Sequence, residues 1–106
     1  MMKDENFVIT REKADGVTKF AIEGRVNSKN SFTLQRKLED SLSSGETKII
    51  LNMTQVKYLS SEGIRVIINI YKQAEKAGGK LRIEQPSDVV KNVLGLVALN
   101  DMLVQK

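Results

Sequence analysis

Lys48-Ile49-Ile50-Leu51-Asn52-Met53 runs on to Leu59-Ser60-Ser61-Glu62-Gly63-Ile64-Arg65-Val66, and this stretch decides the fold. The first six residues form an apolar run of strand length. From Ile64 the pattern changes to an amphipathic helix that continues through Ile67, Ile68, Tyr71 and Ala74. Gly78-Gly79 closes it, because glycine takes the left-handed C-cap conformation without strain. A buried strand thus feeds a helix of about Ser61 to Ala77, with two serines and a glutamate at its entry. A helix N-terminus offers free backbone N–H groups and a partial positive charge, so it favours hydroxyl caps and anions.

Working outward, Asn6 to Lys13 reads as a first strand and Ala14-Asp15-Gly16 as a turn, with Asp-Gly as the hairpin signal. Val17 to Glu23 alternates apolar and polar residues, as a half-buried strand does, and Gly24 is expected to end it. Asn27 and Ser28 can cap a first helix whose apolar stripe is Phe32, Leu34, Leu38 and Leu42, closed by Ser43-Ser44-Gly45. The 48–53 strand is placed in the middle of the sheet because it is the most apolar. Lys80 to Glu84 alternates again, and Gln85-Pro86-Ser87 breaks it before a third helix. That helix turns Val89, Val90, Val93 and Leu94 inward and ends at Gly95 and Asn100-Asp101. Met102-Leu103-Val104 is a candidate for a last short strand.

The predicted class is α/β. A mixed sheet of four to five strands packs with three or more helices in the order β-β-α-β-α-β-α, with an optional final β, as one domain over 1–106.

The 106 residues suit a single core. There is no cysteine and no histidine, so disulfides, Cys/His zinc sites and histidine acid–base catalysis are excluded. Carboxylates are scattered; Glu39-Asp40 is an adjacent pair, and neighbours in sequence do not share a helix face. No catalytic constellation, metal site or cofactor is expected. The net charge of +4 comes from dispersed lysines, and only five residues are Phe or Tyr. Neither a basic stripe nor a stacking platform for nucleic acid is present. No apolar run approaches a membrane span of about 20 residues. With a polar start at Met1-Met2-Lys3-Asp4, a cytoplasmic protein is expected.

On a wheel of about 100° per residue, Ile64, Ile67, Ile68, Tyr71 and Ala74 fall on one side of the second helix. Glu62, Val66, Asn69 and Gln73 fall opposite, with Ile70 at the margin. Val66 is therefore expected on the wet face beside Glu62, with Arg65 and Lys72 flanking a contact patch.

With this order and these residues, the chain resembles the STAS domain, and within it the single-domain bacterial anti-sigma factor antagonists. The resemblance runs from about Phe7 to Val104. It is carried by Ile22-Glu23-Gly24-Arg25-Val26-Asn27, by the segment from Ile49 to Ile64, by Tyr71-Lys72, by Ala77-Gly78-Gly79 and by the 80–83 strand. It implies protein binding without catalysis. Such a protein captures an anti-sigma factor, often a serine kinase of the ATPase type, and so controls transcription by partner switching. The kinase phosphorylates a hydroxyl at the second helix entry, and a serine phosphatase resets it.

The family's usual motif there is Asp-Ser-Ser/Thr-Gly-Leu. Aligning Gly63-Ile64 with Gly-Leu puts Ser60 at the Asp, Ser61 at the first Ser and Glu62 at the phosphoacceptor. Asn27 stands where an Asp is common. The resemblance therefore implies altered phosphoregulation. Glu62 is a fixed anion, with Ser61 and Ser60 as the remaining hydroxyls for phosphorylation. The expected partner surface is Asn27, Ser60, Ser61, Glu62, Gly63, Arg65, Val66 and Asn69. Expected partners are the anti-sigma factor and a phosphatase, with no nucleic acid and no membrane, the protein itself being a monomer or weak dimer. The alternative is a STAS scaffold component of a stress-sensing assembly, or a STAS protein that binds a nucleotide or other small ligand.

Overall fold

The computed structural model describes residues 7–96. Its elements are β1 (Phe7–Ala14), β2 (Val17–Val26), α1 (Ser28–Ser43), β3 (Lys48–Leu59), α2 (Ser61–Lys76), β4 (Lys80–Glu84) and α3 (Asp88–Leu96). The four strands lie in the order β1-β2-β3-β4. β1 and β2 pair antiparallel through the Asp15-Gly16 turn, where both residues have positive φ, as a two-residue hairpin loop demands. β3 runs parallel to both β2 and β4, so α1 and α2 are the crossover helices. The order read from the sequence holds throughout the described residues, and β3 is an interior strand. The expected strand at Met102-Leu103-Val104 and the stop at Asn100-Asp101 lie outside them.

One face of the sheet carries the core. Phe20, Ile22 and Val26 of β2, Ile49, Leu51 and Met53 of β3, and Leu81 and Ile83 of β4 are buried. Leu34 and Leu38 of α1, Ile67, Ile70 and Ala74 of α2, and Val90 and Leu94 of α3 close over them in a single cluster. Lys19 and Glu84 show that the other face is wetter: they form an ion pair of 3.1 Å that reaches across β3.

Three expectations fail here for physical reasons. Gly24 does not end β2. The strand kinks there, with φ +95, and continues to Val26. Nor does β3 stop at Met53. It runs to Leu59, and two register shifts against β2 insert extra residues into it. Burial then falls on Met53, Val56 and Leu59, a spacing of three that hides the strand from an alternation test. Phe32 is 70% exposed, whereas the stripe reading turned it inward. Asn30, Ser31 and Ser41 are buried beside Leu34 and Leu38 instead, so α1 meets its neighbours with small polar residues.

Both crossover helices end in a Schellman motif. After α2, the Gly79 N–H donates to the Ala74 carbonyl and the Gly78 N–H to the Glu75 carbonyl. Gly79 then passes so close to Thr47 that an added Cβ would lie 2.1 Å from the Thr47 carbonyl oxygen.

Candidate functional site

Because β2 and β3 are parallel, their C-terminal ends lie at the same edge, and each turns into a helix after a single residue. Those residues, Asn27 and Ser60, are the caps. Asn27 Oδ1 accepts from the Asn30 N–H at 2.8 Å, and Ser60 Oγ accepts from the Gly63 N–H at 3.1 Å. The Ser60 N–H also donates to the Val26 carbonyl at 2.9 Å, which ties the two helix entries together. Asn30 Nδ2 donates to the Arg25 carbonyl at 2.8 Å and fixes the first entry to its own strand. Gly63 lets α2 start hard against both strands. An added Cβ would lie 2.8 Å from Leu59 Cδ1 and 2.9 Å from Val26 Cγ1.

On this base Ser61 and Glu62 project into solvent while Ser60 and Gly63 are buried. Glu62 is the one acidic residue in the first turn of α2. Hydrogen bonding from its own backbone N–H, then from the Ser28 hydroxyl, holds its carboxyl below the ordinary carboxylate value. Smaller pulls come from the Arg65 charge and the Ser60 hydroxyl, and desolvation works against them. The carboxylate thus faces the first turns of both helices.

Beside it runs a groove of about 130 Å³ between α1 and α2. Ser31, Phe32 and Gln35 form one wall, and Glu62, Arg65 and Asn69 belong to the other. Val66 sits at its floor and is only 6% exposed, so its placement on the wet face is wrong. The wheel assumed one packed side, but α2 has two. The helix packs against β3 and β4 on the one hand and α1 on the other; Ile67, Ile70 and Ala74 are fully buried in the shared core, while Val66 lies toward α1. Ile64, Ile68 and Tyr71, expected on the packed side, are only half-buried.

Asn27, Ser60, Ser61, Glu62 and Gly63 gather at the joined helix entries, Arg65 and Asn69 continue along α2 beside the groove, and the set divides by role. Ser60 and Gly63 shape the entry from below, and Asn27 is a half-buried cap. The exposed side chains are Ser61, Glu62, Arg65 and Asn69. Sequence reasoning missed Ser28 as a neighbour of Glu62, since only the parallel pairing of β2 with β3 brings them together. It also missed Phe32, which a wheel centred on Leu34 and Leu38 would have put outside. On the β2 and β3 ends, the Arg25 guanidinium stacks 4.6 Å from the Tyr58 ring centroid. Among the described residues no group of His, Cys, Asp or Glu could hold a metal ion, and no helix is long and apolar enough to cross a membrane.

A family model described as the STAS domain matches residues 8–105. BtrV of Bordetella bronchiseptica, described as a candidate anti-sigma factor antagonist, is 33% identical over 73 residues. These make up 69% of this chain and 63% of that protein, so the chain spans just under two thirds of that curated relative. A solved structure of a candidate anti-sigma factor antagonist from Thermotoga maritima is 25% identical. It covers 91% of this chain and 83% of its own, with a TM-score of 0.80. SpoIIAA in its unphosphorylated form superposes with a TM-score of 0.82 at 17% identity, covering 93% of this chain and 88% of its own, and supports the fold alone.

Proposed function

The chain belongs to the STAS domain family, and from that premise we propose that it is an anti-sigma factor antagonist. It captures an anti-sigma factor on the joined entries of α1 and α2 and acts by binding, without catalysis. The observation that carries this reading is the exposed row Ser61, Glu62, Arg65 and Asn69, standing on two interlocked caps, Ser60 buried and Asn27 half-buried. A rigid base with a polar, solvated crest suits a docking surface. The likeness to BtrV supports the choice of partner.

Regulation at this surface differs from the family's usual scheme. A glutamate carries about one negative charge, against roughly −1.5 to −2 for a phosphoserine at neutral pH. Glu62 is a fixed, partial stand-in for that charge. A kinase cannot modify it, and a phosphatase cannot remove it. Of the two serines left, Ser61 is exposed, whereas the Ser60 hydroxyl is buried and committed to its cap.

Titration calorimetry of the full chain against the purified anti-sigma factor tests the reading. The wild-type protein binds, and Glu62→Ser tightens the complex and makes it sensitive to phosphorylation by an anti-sigma kinase. If Glu62→Ser weakens binding, the carboxylate makes a specific ion pair with the partner and the stand-in idea is dropped. No binding by the wild-type protein overturns the function itself.

A further inference from the structure

Phe32 is the most exposed aromatic side chain of the described residues, at 70%. A lone exposed apolar residue is ordinary. Phe32 is not alone, because it forms one lip of the groove whose other wall carries Glu62 and Arg65. Along α1, Lys29 lies one turn before it and Arg36 one turn after, and both are exposed. Arg65 faces it across the groove.

None of these three cations takes part in the four ion pairs among the described residues, which use Arg11, Lys13, Lys19 and Arg82. Lys29 and Arg36 have no ion-pair partner among the described residues, while Arg65 shares its field with Glu62. The nearby anions are Glu62 on the groove wall, Asp40 one turn after Arg36 with Lys37 beside it, and Glu39, whose carboxylate accepts a hydrogen bond from Gln35 Nε2 at 3.2 Å; with Lys29, Arg36, Lys37 and Arg65 the face keeps a positive balance. An exposed aromatic lip on a face of net positive charge matches an acidic segment that carries one apolar side chain.

We infer that the outer face of α1, with Phe32 as anchor and Lys29, Arg36 and Arg65 around it, is a second half of the docking surface that takes an acidic, apolar-tipped segment of the anti-sigma factor. The inference rests on the function proposed above. It extends the contact from the entry of α2 across the groove to α1. The anchor contributes by desolvating an aromatic ring that is wet in the free protein. The cations steer the encounter and set its salt dependence.

The probe is the purified anti-sigma factor, titrated against full-length variants whose melting curves match the wild type. Phe32→Ala is expected to weaken binding at least tenfold without moving the melting temperature. Arg36→Glu and Lys29→Glu should slow association and lessen its dependence on salt. Lys48→Glu, an exposed change at the other end of β3, should do neither. Ser61→Trp, which adds bulk to the exposed helix entry, is the arm that separates the two claims. If it abolishes binding while Phe32→Ala and Arg36→Glu leave affinity unchanged, the helix-entry function stands and the α1 surface is wrong. If the wild-type chain does not bind at all, both fall. Phe32-dependent binding to phosphatidylserine vesicles, with anti-sigma affinity untouched by Phe32→Ala, would also overturn the inference and assign the patch to a membrane surface.

Discussion

Val66→Asp separates the structural position of Val66 from the one its sequence suggests. A residue on the wet face would accept aspartate with little effect. The structure leaves Val66 6% exposed between α2 and α1. Removing the valine forfeits about 1.5–3 kcal/mol of apolar burial. The new carboxyl then has two costly choices: to remain charged in a poorly solvated site, or to take up a proton. Protonation at pH 7, from an ordinary value near 3.9, costs about 4 kcal/mol at most, at roughly 1.4 kcal/mol per pH unit.

The site lies under the groove, so some water reaches it, and a net loss of about 3–5 kcal/mol is expected. A domain of this size has about 5–15 kcal/mol in total and loses roughly 4–8 °C per kcal/mol, so the melting temperature should fall by at least about 12 °C. Circular dichroism melts read the shift, and urea titration with an unchanged slope confirms a stability change. The charge part has a signature of its own. The raised folded-state value of the introduced carboxyl makes its penalty present above pH 4 and absent below. The gap from wild type therefore narrows as the pH falls toward 4. A melting temperature within about 4 °C of wild type at pH 7 would refute the two-sided packing of α2, because that shift corresponds to no more than about 1 kcal/mol.

Three further outcomes are expected. Gly79→Ala should cost about 2–4 kcal/mol, since its Cβ meets the Thr47 carbonyl oxygen that also accepts the Lys80 N–H. Gly78→Ala has open space and only its φ of +81 to strain against, so denaturant titrations should show a smaller loss of about 1–2 kcal/mol. Ser60→Ala removes the acceptor for the Gly63 N–H and should cost about 0.5–2 kcal/mol by the same assay. Glu62 has a folded-state value below its ordinary one, so its contribution to stability is present above the ordinary value and lost as the pH falls through the folded one. Wild type should therefore exceed Glu62→Gln in stability at pH 7, and melts repeated at successively lower pH should show the difference disappear.

The element order was legible because each boundary carries a local cause. Asp15-Gly16 has the positive φ values of its turn, Ser60 caps α2, and Gly78-Gly79 accommodates the left-handed exit that stops it. What stayed hidden depends on partners far away in the chain. The second half of β3 loses its alternation to register shifts imposed by β2. A wheel finds where apolar residues cluster, yet it cannot tell that α2 faces both a sheet and α1. Val66, with Glu62 and Asn69 as its polar companions on that wheel, was therefore misread. Phe32 was misread for the opposite reason. Its hydrophobicity pulled it into the stripe, while Asn30, Ser31 and Ser41 occupy the buried face.

The join of the two helix entries explains how one residue at position 62 can matter to a surface larger than itself. Ser60 hydrogen-bonds backward to Val26 and forward to Gly63, so the start of α2 cannot shift without disturbing the end of β2 and, through Asn27 and Asn30, the start of α1. A charge at position 62 therefore acts on a frame that does not yield to it. On the function proposed above, it changes the electrostatics of docking rather than the shape of the protein. A phosphate on such a frame would be a switch, because it can be added and removed. A glutamate is a set point. Its carboxylate stays ionised through the physiological range, since its neighbours lower its pKa further. Control of such a complex then falls to the partner's own state, or to Ser61, whose exposed hydroxyl would set a second negative charge beside the first.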